Sequence, residues 1–126
     1  MKYQLNSSSV EVGHLRGAIA RELAEQAEPK ADIPAAELIV GELISNIVRH
    51  APGDFELSLG WDADGFATLD IRDRGEPFAF PRPPTPPTQA GGHGLNLVRA
   101  LAVRVSVRHE NDGNAIRVVL PVRRRA

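Results

Sequence analysis

The hydrophobic pattern of this chain changes its period at Pro52-Gly53, and that change restricts the folds it can adopt. Before this point, apolar residues recur at helical spacing and predict two helices, from about residue 9 to 26 and from about residue 32 to 50. Ser8-Ser9-Val10-Glu11 matches a capping box and predicts the start of the first helix. A third, shorter helix is predicted at about residues 95–102.

Beyond this break the chain alternates apolar and polar residues, which is typical of strands with one buried face. Four such segments predict two hairpins, residues 55–61 with 67–73 and residues 103–107 with 116–120. Residues 3–5 predict a short edge strand. Because helices and strands do not alternate strictly, the order predicts an α+β fold. We expect a two-layer sandwich in which three helices cover one face of a mixed, mostly antiparallel sheet.

Composition narrows the class of protein. The chain has 126 residues, and we expect one domain over residues 1–126. The absence of cysteine excludes a disulfide framework, a thiol nucleophile and cysteine-ligated metal sites. A formal net charge of -1 argues against a general nucleic-acid binder. No apolar run approaches the roughly 20 residues of a membrane span, so a cytoplasmic protein is expected. The basic end, Arg123-Arg124-Arg125, is interpreted as a frayed, solvated tail.

Three polar residues, Glu42, Asn46 and His50, are spaced four apart along the second predicted helix. On a helical wheel with about 100° per residue they form a stripe at the edge of the apolar face. A carboxylate or an amide so close to the core must be solvated, hydrogen-bonded or holding a ligand. Taken alone, the stripe is more typical of a structural helix flank, with His50 at the favourable C-terminal dipole.

A second candidate is the aspartate that ends a predicted strand. Asp73 shares the buried face of that strand with Ala67, Leu69 and Ile71, so the strand delivers a carboxylate at the end of an apolar row. The alternative interpretation is a simple turn after the strand. Further along, Gly91-Gly92-His93-Gly94 precedes a predicted helix, where backbone N–H groups and the helix dipole favour an anion. Taken alone, such a glycine cluster is more typical of an ordinary loop.

Between these two features lies a long segment without periodicity. Residues 75–90 hold six of the ten prolines. A loop of this length in a small domain is usually a lid, a binding loop or disordered, and we expect it to be mobile without ligand. The polar helix edge, the strand-end aspartate, this loop and the glycine-led helix together make a complete nucleotide pocket.

Three segments resemble the motifs of the GHKL (Bergerat-fold) ATPase and kinase superfamily, of the gyrase, Hsp90, histidine kinase and MutL type. They are an N box at Glu42-Leu-Ile-Ser-Asn46-Ile-Val-Arg-His50-Ala, a G1 box at Asp73-Arg-Gly75-Glu-Pro77-Phe78, and a G2 box at Gly92-His93-Gly94-Leu95-Asn-Leu-Val-Arg-Ala-Leu101. The order and spacing match over nearly the whole chain. Within the superfamily the chain is most similar to the small anti-sigma-factor serine/threonine kinases, which implies the Bergerat ATP-binding fold.

The resemblance implies a role for each matching residue. Asn46 would coordinate a Mg²⁺ ion that bridges the phosphates of ATP, because an amide oxygen suits a hard cation. Glu42 would be the general base for the attacking hydroxyl. Asp73 would accept a hydrogen bond from the adenine amino group, and Gly75 would allow the backbone to approach the base closely.

The second half of the predicted site belongs to an ATP lid at about residues 75–93. Gly92 and Gly94 would cradle the phosphates. The remaining predicted nucleotide-binding positions in these motifs are Pro77, His93 and Leu95. The lid departs from the resemblance, because His93 stands where the branch often has arginine and the segment carries no lysine.

The resemblance implies an ATP-dependent serine/threonine protein kinase that regulates transcription by partner switching. It would bind a sigma factor or phosphorylate a small antagonist protein, as a homodimer and without direct nucleic-acid or membrane contact. One alternative is the ATP-binding domain of a histidine kinase, although few residues precede the second helix. The other is a catalytically silent module that uses the nucleotide only to set its conformation.

Overall fold

The computed structural model describes residues 1–51, 53–75, 94–110 and 112–126. Their elements, in chain order, are β1 (Lys2–Asn6), α1 (Val12–Gln26), α2 (Ile33–His50), β2 (Asp54–Trp61), β3 (Phe66–Asp73), α3 (Gly94–Leu101), β4 (Arg104–Glu110) and β5 (Gly113–Arg123). The strands form one five-stranded sheet in the order β1-β2-β3-β5-β4. The predicted α+β fold and the edge position of β1 are confirmed.

Every neighbouring pair of described strands is antiparallel, where a mixed but mostly antiparallel sheet was expected. Two of the four pairs are hairpins, β2 with β3 and β4 with β5. β3 and β4 flank α3 in the chain and run in the same direction, so they would form a parallel pair if they were neighbours. They are not neighbours, because β5 lies between them and is antiparallel to both, and β4 forms the far edge of the sheet.

The boundaries of α2 agree with its sequence signals. The Asp32 side chain accepts a hydrogen bond from the Ala35 N–H at 3.1 Å, and Pro34 lies in the first turn. The helix ends at His50. Gly53 then adopts a φ of 123°, a left-handed conformation that favours glycine, before the chain enters β2. The position and length of α2 are therefore confirmed.

The predicted capping box at the start of α1 is wrong. The N-cap residue is Glu11, without a side-chain cap, and the helix begins at Val12. The reason lies at the end of β1, where the Asn6 side chain accepts hydrogen bonds from the N–H and the hydroxyl of Ser8. The Ser9 hydroxyl donates to the Asn6 carbonyl. These local bonds build a turn after β1 and so compete with the helix for the two serines.

The core lies between the sheet and the helices, and α2 is the central helix. It packs against both α1 and α3 as well as the sheet. Its stripe of Ile39, Leu43 and Ile47 is fully buried in one cluster with Leu57 and Leu69 of the sheet. Burial of each such side chain contributes about 1.5–3 kcal/mol, so packing fixes the rotation of α2. Among the described residues, no helix is long and apolar enough to cross a membrane.

The opposite face of the sheet is polar. The Lys2 ammonium lies 3.0 Å from Glu56, and its hydrogen bond lowers the pKa of that carboxyl. Arg117 lies 2.7 Å from Asp70, whose hydrogen bond raises the pKa of the guanidinium. A cavity of about 670 Å³ lies against this face. Because the side chains of β3 alternate, Asp73 belongs to the other face, towards the helices.

The basic C-terminal end is not the frayed tail that the sequence suggested. Arg124 forms a β-bridge with Ala27, and its N–H donates to the Gly65 carbonyl at 2.8 Å. Its guanidinium lies 5.9 Å from the centre of the Trp61 ring. The Arg125 N–H donates to the last turn of α1. The end of the chain therefore extends beyond β5 with backbone hydrogen bonds to the end of α1 and to the β2-β3 turn, and these bonds hold it in place.

Candidate functional site

Asp73 is the last residue of β3, and its side chain lies at the end of a buried row. Leu69 and Ile71 precede it on the same face and are fully buried, and Asp73 itself is only 7% exposed. Its Oδ1 accepts a hydrogen bond from the Gly75 N–H at 2.9 Å. The predicted buried carboxylate at a strand end is therefore present, and the turn that follows holds one of its two oxygens.

Asn114 is a candidate site residue that sequence analysis missed. It is paired with Asp73 across β3 and β5 and is 1% exposed. Its Nδ2 donates to Asp73 Oδ1 at 3.0 Å and lies 3.3 Å from the Gly75 carbonyl oxygen. The sequence around it, Asn111-Asp112-Gly113-Asn114, predicts a turn. The available signal was alternation, because Asn114 shares its phase with the buried Ile116 and Val118.

Two glycines allow backbone segments to meet around Asp73. A Cβ on Gly75 would lie 2.5 Å from the Cβ of Ala51, directly after α2. A Cβ on Gly113 would lie 1.7 Å from the carbonyl oxygen of Asp73. Both distances are far shorter than any normal contact. The end of α2 and the start of β5 can therefore close on the Asp73 segment only because these positions lack a side chain.

Glu42 and Asn46 are half-buried on α2, and neither has a hydrogen bond or ion pair among the described residues. The side of α2 that faces α1 is marked by Arg16, which packs over Gly41 and lies 3.6 Å from Glu37. At about 100° per residue, Asn46 lies roughly 140° from Gly41, and Glu42 roughly 140° from Glu37. The two candidate residues therefore lie on the edge of α2 that faces away from α1.

The polar edge of α2 leads towards the Asp73 segment. With a rise of about 1.5 Å per residue, Asn46 and Glu42 lie about 7.5 Å and 13.5 Å before Ala51 along the helix axis. Ala51 is the residue that Gly75 approaches. His50 is exposed at the helix end, in line with its structural interpretation.

Part of the predicted site falls outside the described residues. These positions are Pro77, Gly92 and His93, together with most of the predicted lid. The mobility of the lid stays a prediction. Gly94 and Leu95 are the first two residues of α3, so the helix predicted after the glycines is confirmed at this position.

Comparison with protein families now identifies the fold. Residues 5–120 match the family described as the histidine kinase-like ATPase domain. The chain belongs to this family. The predicted membership of the GHKL superfamily is thereby confirmed. A search of curated proteins finds no match to the sequence of this chain.

Solved structures similar to this ATPase domain include the mycobacterial sensor histidine kinase MprB. The two are 20% identical with a TM-score of 0.58, over 98% of this chain and 100% of that one. The histidine kinase domain from Erythrobacter litoralis EL346 blue-light activated histidine kinase is 19% identical with a TM-score of 0.52. That match covers 90% of this chain and 62% of the other, so this ATPase domain spans less than two thirds of that structure. At these identities the likeness shows the fold alone.

Proposed function

We propose that this domain binds ATP with Mg²⁺ and acts as a serine/threonine protein kinase of the anti-sigma-factor type. The observation that supports it best is the polar edge of α2, where Glu42 precedes Asn46 by one turn and both are half-buried without a described partner. Polar groups near a core are normally satisfied. A metal–phosphate group and an incoming hydroxyl would satisfy these two.

ATP recognition would begin at Asp73. Its Oδ1 is occupied by N–H donors from Gly75 and Asn114, whereas Oδ2 accepts no hydrogen bond among the described residues. A carboxylate oxygen presented in this way suits the amino group of adenine and opposes the carbonyl oxygen that guanine carries at the same position. The side chain would therefore select adenine over guanine.

The amide of Asn46 fits a Mg²⁺ ligand. Mg²⁺ prefers hard oxygen ligands, is commonly held by few protein groups, and takes the rest of its shell from phosphates and water. When bound, the ion would neutralise charge on the transferred phosphoryl group. Along α2, Asn46 lies between Glu42 and the helix end that Gly75 approaches, so the residue that would hold the metal lies between the proposed general base and the Asp73 end of the site.

Glu42 would act as the general base. Its carboxylate would accept the proton of a serine or threonine hydroxyl as the hydroxyl oxygen bonds to the γ-phosphorus and the bond from that phosphorus to ADP breaks. Among the described residues no cation pairs with Glu42, and on its own helix Leu38 and Asn46 occupy the positions four residues away. An unpaired carboxylate keeps its oxygens available for a proton.

The proposed kinase is a cytoplasmic homodimer that binds a sigma factor or its antagonist protein.

A second candidate is the ATP-binding domain of a histidine kinase, favoured by the similarity to histidine kinase structures. The two functions differ in the residue that receives the phosphate. Serine phosphate survives acid treatment, whereas histidine phosphate is hydrolysed.

The test is transfer of radiolabelled γ-phosphate from ATP to a small candidate antagonist protein and to a candidate acceptor protein with a phosphorylatable histidine, followed by acid treatment. Acid-stable label on a serine or threonine supports the proposal. Acid-labile label on a histidine side chain of the acceptor protein supports the second candidate. Tight ATP binding without transfer to either would identify a silent regulatory module and overturn the kinase assignment.

A further inference from the structure

A chain of hydrogen bonds crosses three neighbouring strands at the Asp73 end of the site. His109 of β4 pairs with Asn114 of β5, and Asn114 pairs with Asp73 of β3. Their side chains meet in the same order, with 2.8 Å between His109 Nδ1 and Asn114 Oδ1 and 3.0 Å between Asn114 Nδ2 and Asp73 Oδ1. His109 thus reaches the proposed base-binding carboxylate through one buried amide.

The chemistry of these groups fixes the direction of each bond. The atoms of Asp73 and Gly75 that face the Asn114 amide are both oxygens, so the amide must turn its NH₂ group towards them. Its carbonyl oxygen then faces His109 and can only accept. His109 Nδ1 must therefore carry a proton and donate it.

Asn114 also limits how Asp73 can move. Because Asn114 is 1% exposed, water has little access to replace its amide. A buried carboxylate that lost this donor would rotate to recover a partner, since an unsatisfied buried acceptor is costly. The two donors on Oδ1 hold the carboxylate in the rotation that leaves Oδ2 without a described partner.

We propose that Asn114 and His109 are positioning residues for base recognition. Asn114 fixes the rotation of the Asp73 carboxylate, and His109 fixes Asn114. This inference rests on the proposed binding of ATP. It adds that discrimination for the amino group of adenine depends on a buried amide of β5 and an exposed histidine of β4, neither of which contacts the base.

The test compares ATP with purine riboside 5′-triphosphate, which lacks the amino group, by calorimetric titration. Wild-type protein should prefer ATP by about tenfold or more, the value of a hydrogen bond to a carboxylate. Asn114→Leu should lose most of that preference while its affinity for the purine triphosphate stays within a few-fold. The purine triphosphate thus reports whether the variant is folded and competent to bind.

His109 provides a second, milder variant that does not disturb the core. His109→Ala should reduce the preference by about two- to tenfold, as expected for a typical intramolecular hydrogen bond. His109→Asn should restore it, because its side-chain NH₂ can donate where the imidazole Nδ1 did. His14→Ala, which changes an exposed histidine of α1, should leave the preference unchanged.

A measurement without nucleotide tests the same geometry. In mildly alkaline buffer the ¹⁵N spectrum of His109 should show the Nδ1–H tautomer, and Asn114→Leu should abolish it. Finding the Nε2–H tautomer in the wild-type protein overturns the inference.

The titrations separate two kinds of failure. Wild-type protein that discriminates, together with an Asn114→Leu variant that discriminates equally, overturns the positioning role alone. Wild-type protein that binds neither triphosphate, or both equally, overturns the proposed adenine recognition and this inference with it.

Discussion

The two ends of the candidate site differ in how their polar groups are satisfied. At the base end, defined by Asp73, Gly75 and Asn114, the side chains and backbone hydrogen-bond to one another. At the phosphate end, defined by Glu42 and Asn46, no described partner is present. Groups held by the protein are oriented before a ligand arrives, whereas groups without partners are completed by the ligand. Recognition would thus be built in advance, and the reactive end would be assembled only with nucleotide.

The largest expected effect comes from removing the metal ligand at the phosphate end. Asn46→Ala should abolish phosphoryl transfer and lose the part of ATP affinity that depends on Mg²⁺, because the ion would lose its protein oxygen. Titration of ATP with and without Mg²⁺ measures this. Ser45→Ala, at the position directly before Asn46 on α2, is the matched control. An Asn46→Ala variant that still gains affinity from Mg²⁺ would contradict the assignment.

Replacing Glu42, the proposed general base, should lower the rate of phosphoryl transfer and leave ATP affinity nearly unchanged. Glu42→Ala should lower transfer by roughly 10²–10⁴, the usual contribution of a general base. ATP affinity should stay within a few-fold, because the interaction is needed mainly in the transition state. Glu37→Ala, on the α1 side of the same helix, is the control for loss of a glutamate. Equal transfer rates in Glu42→Ala and wild type would exclude Glu42 as the base.

In contrast to Glu42→Ala, a variant at the base end should lose ATP affinity, and the protein should still fold. Asp73→Asn should weaken ATP binding by about tenfold or more, since a hydrogen bond to a carboxylate contributes about 1.5–3 kcal/mol. Asp70→Asn, on the polar face of the same strand, should bind ATP like wild type. Equilibrium titration with ATP and GTP measures both affinity and selection. Comparable wild-type affinities for the two nucleotides would rule out this role.

The smallest effects concern stability and probe how tightly the base end is packed. Gly113→Ala should destabilise the fold by about 1–3 kcal/mol, because the new Cβ would overlap the Asp73 carbonyl. Gly17→Ala should stabilise it by about 0.5–1 kcal/mol, since this helical glycine has only the tip of Arg21 nearby, at 3.6 Å. Denaturant unfolding compares the two. Equal free energies of unfolding would mean that β5 can shift away from Asp73.

Local signals were enough to find some of these features in the sequence. The start of α2 was predictable because Asp32 and Pro34 are favoured at a helix N-terminus, and its stripe because the apolar period is regular. Asp73 was predictable because alternation along a strand assigns its face. The start of α1 was not predictable, because the serines match a helix-cap pattern in the sequence but form a turn with Asn6 in the structure.

The features that were missed depend on contacts between distant segments. Asn114 follows Asn-Asp-Gly, a strong turn sequence, and only the register of β5 against β3 makes it a partner of Asp73. The edge of α2 that Glu42 occupies was visible on a helical wheel. That this edge faces away from α1 became clear only from the position of Arg16 in α1. Pairing and packing between elements therefore carried the information that the local pattern lacked.

The hydrogen bond between Asp73 and Asn114 joins residues 41 positions apart, and this separation has a consequence for how the family can vary. The chain between the two residues is a closed loop anchored by the β3-β5 pairing, and it contains both α3 and the predicted lid. The entropy of closing such a loop grows only slowly, at about 0.6 kcal/mol for each doubling of its length. Insertions or deletions in the lid should therefore cost little folding free energy, so evolution is free to change the length of the lid while the two anchoring residues stay where they are.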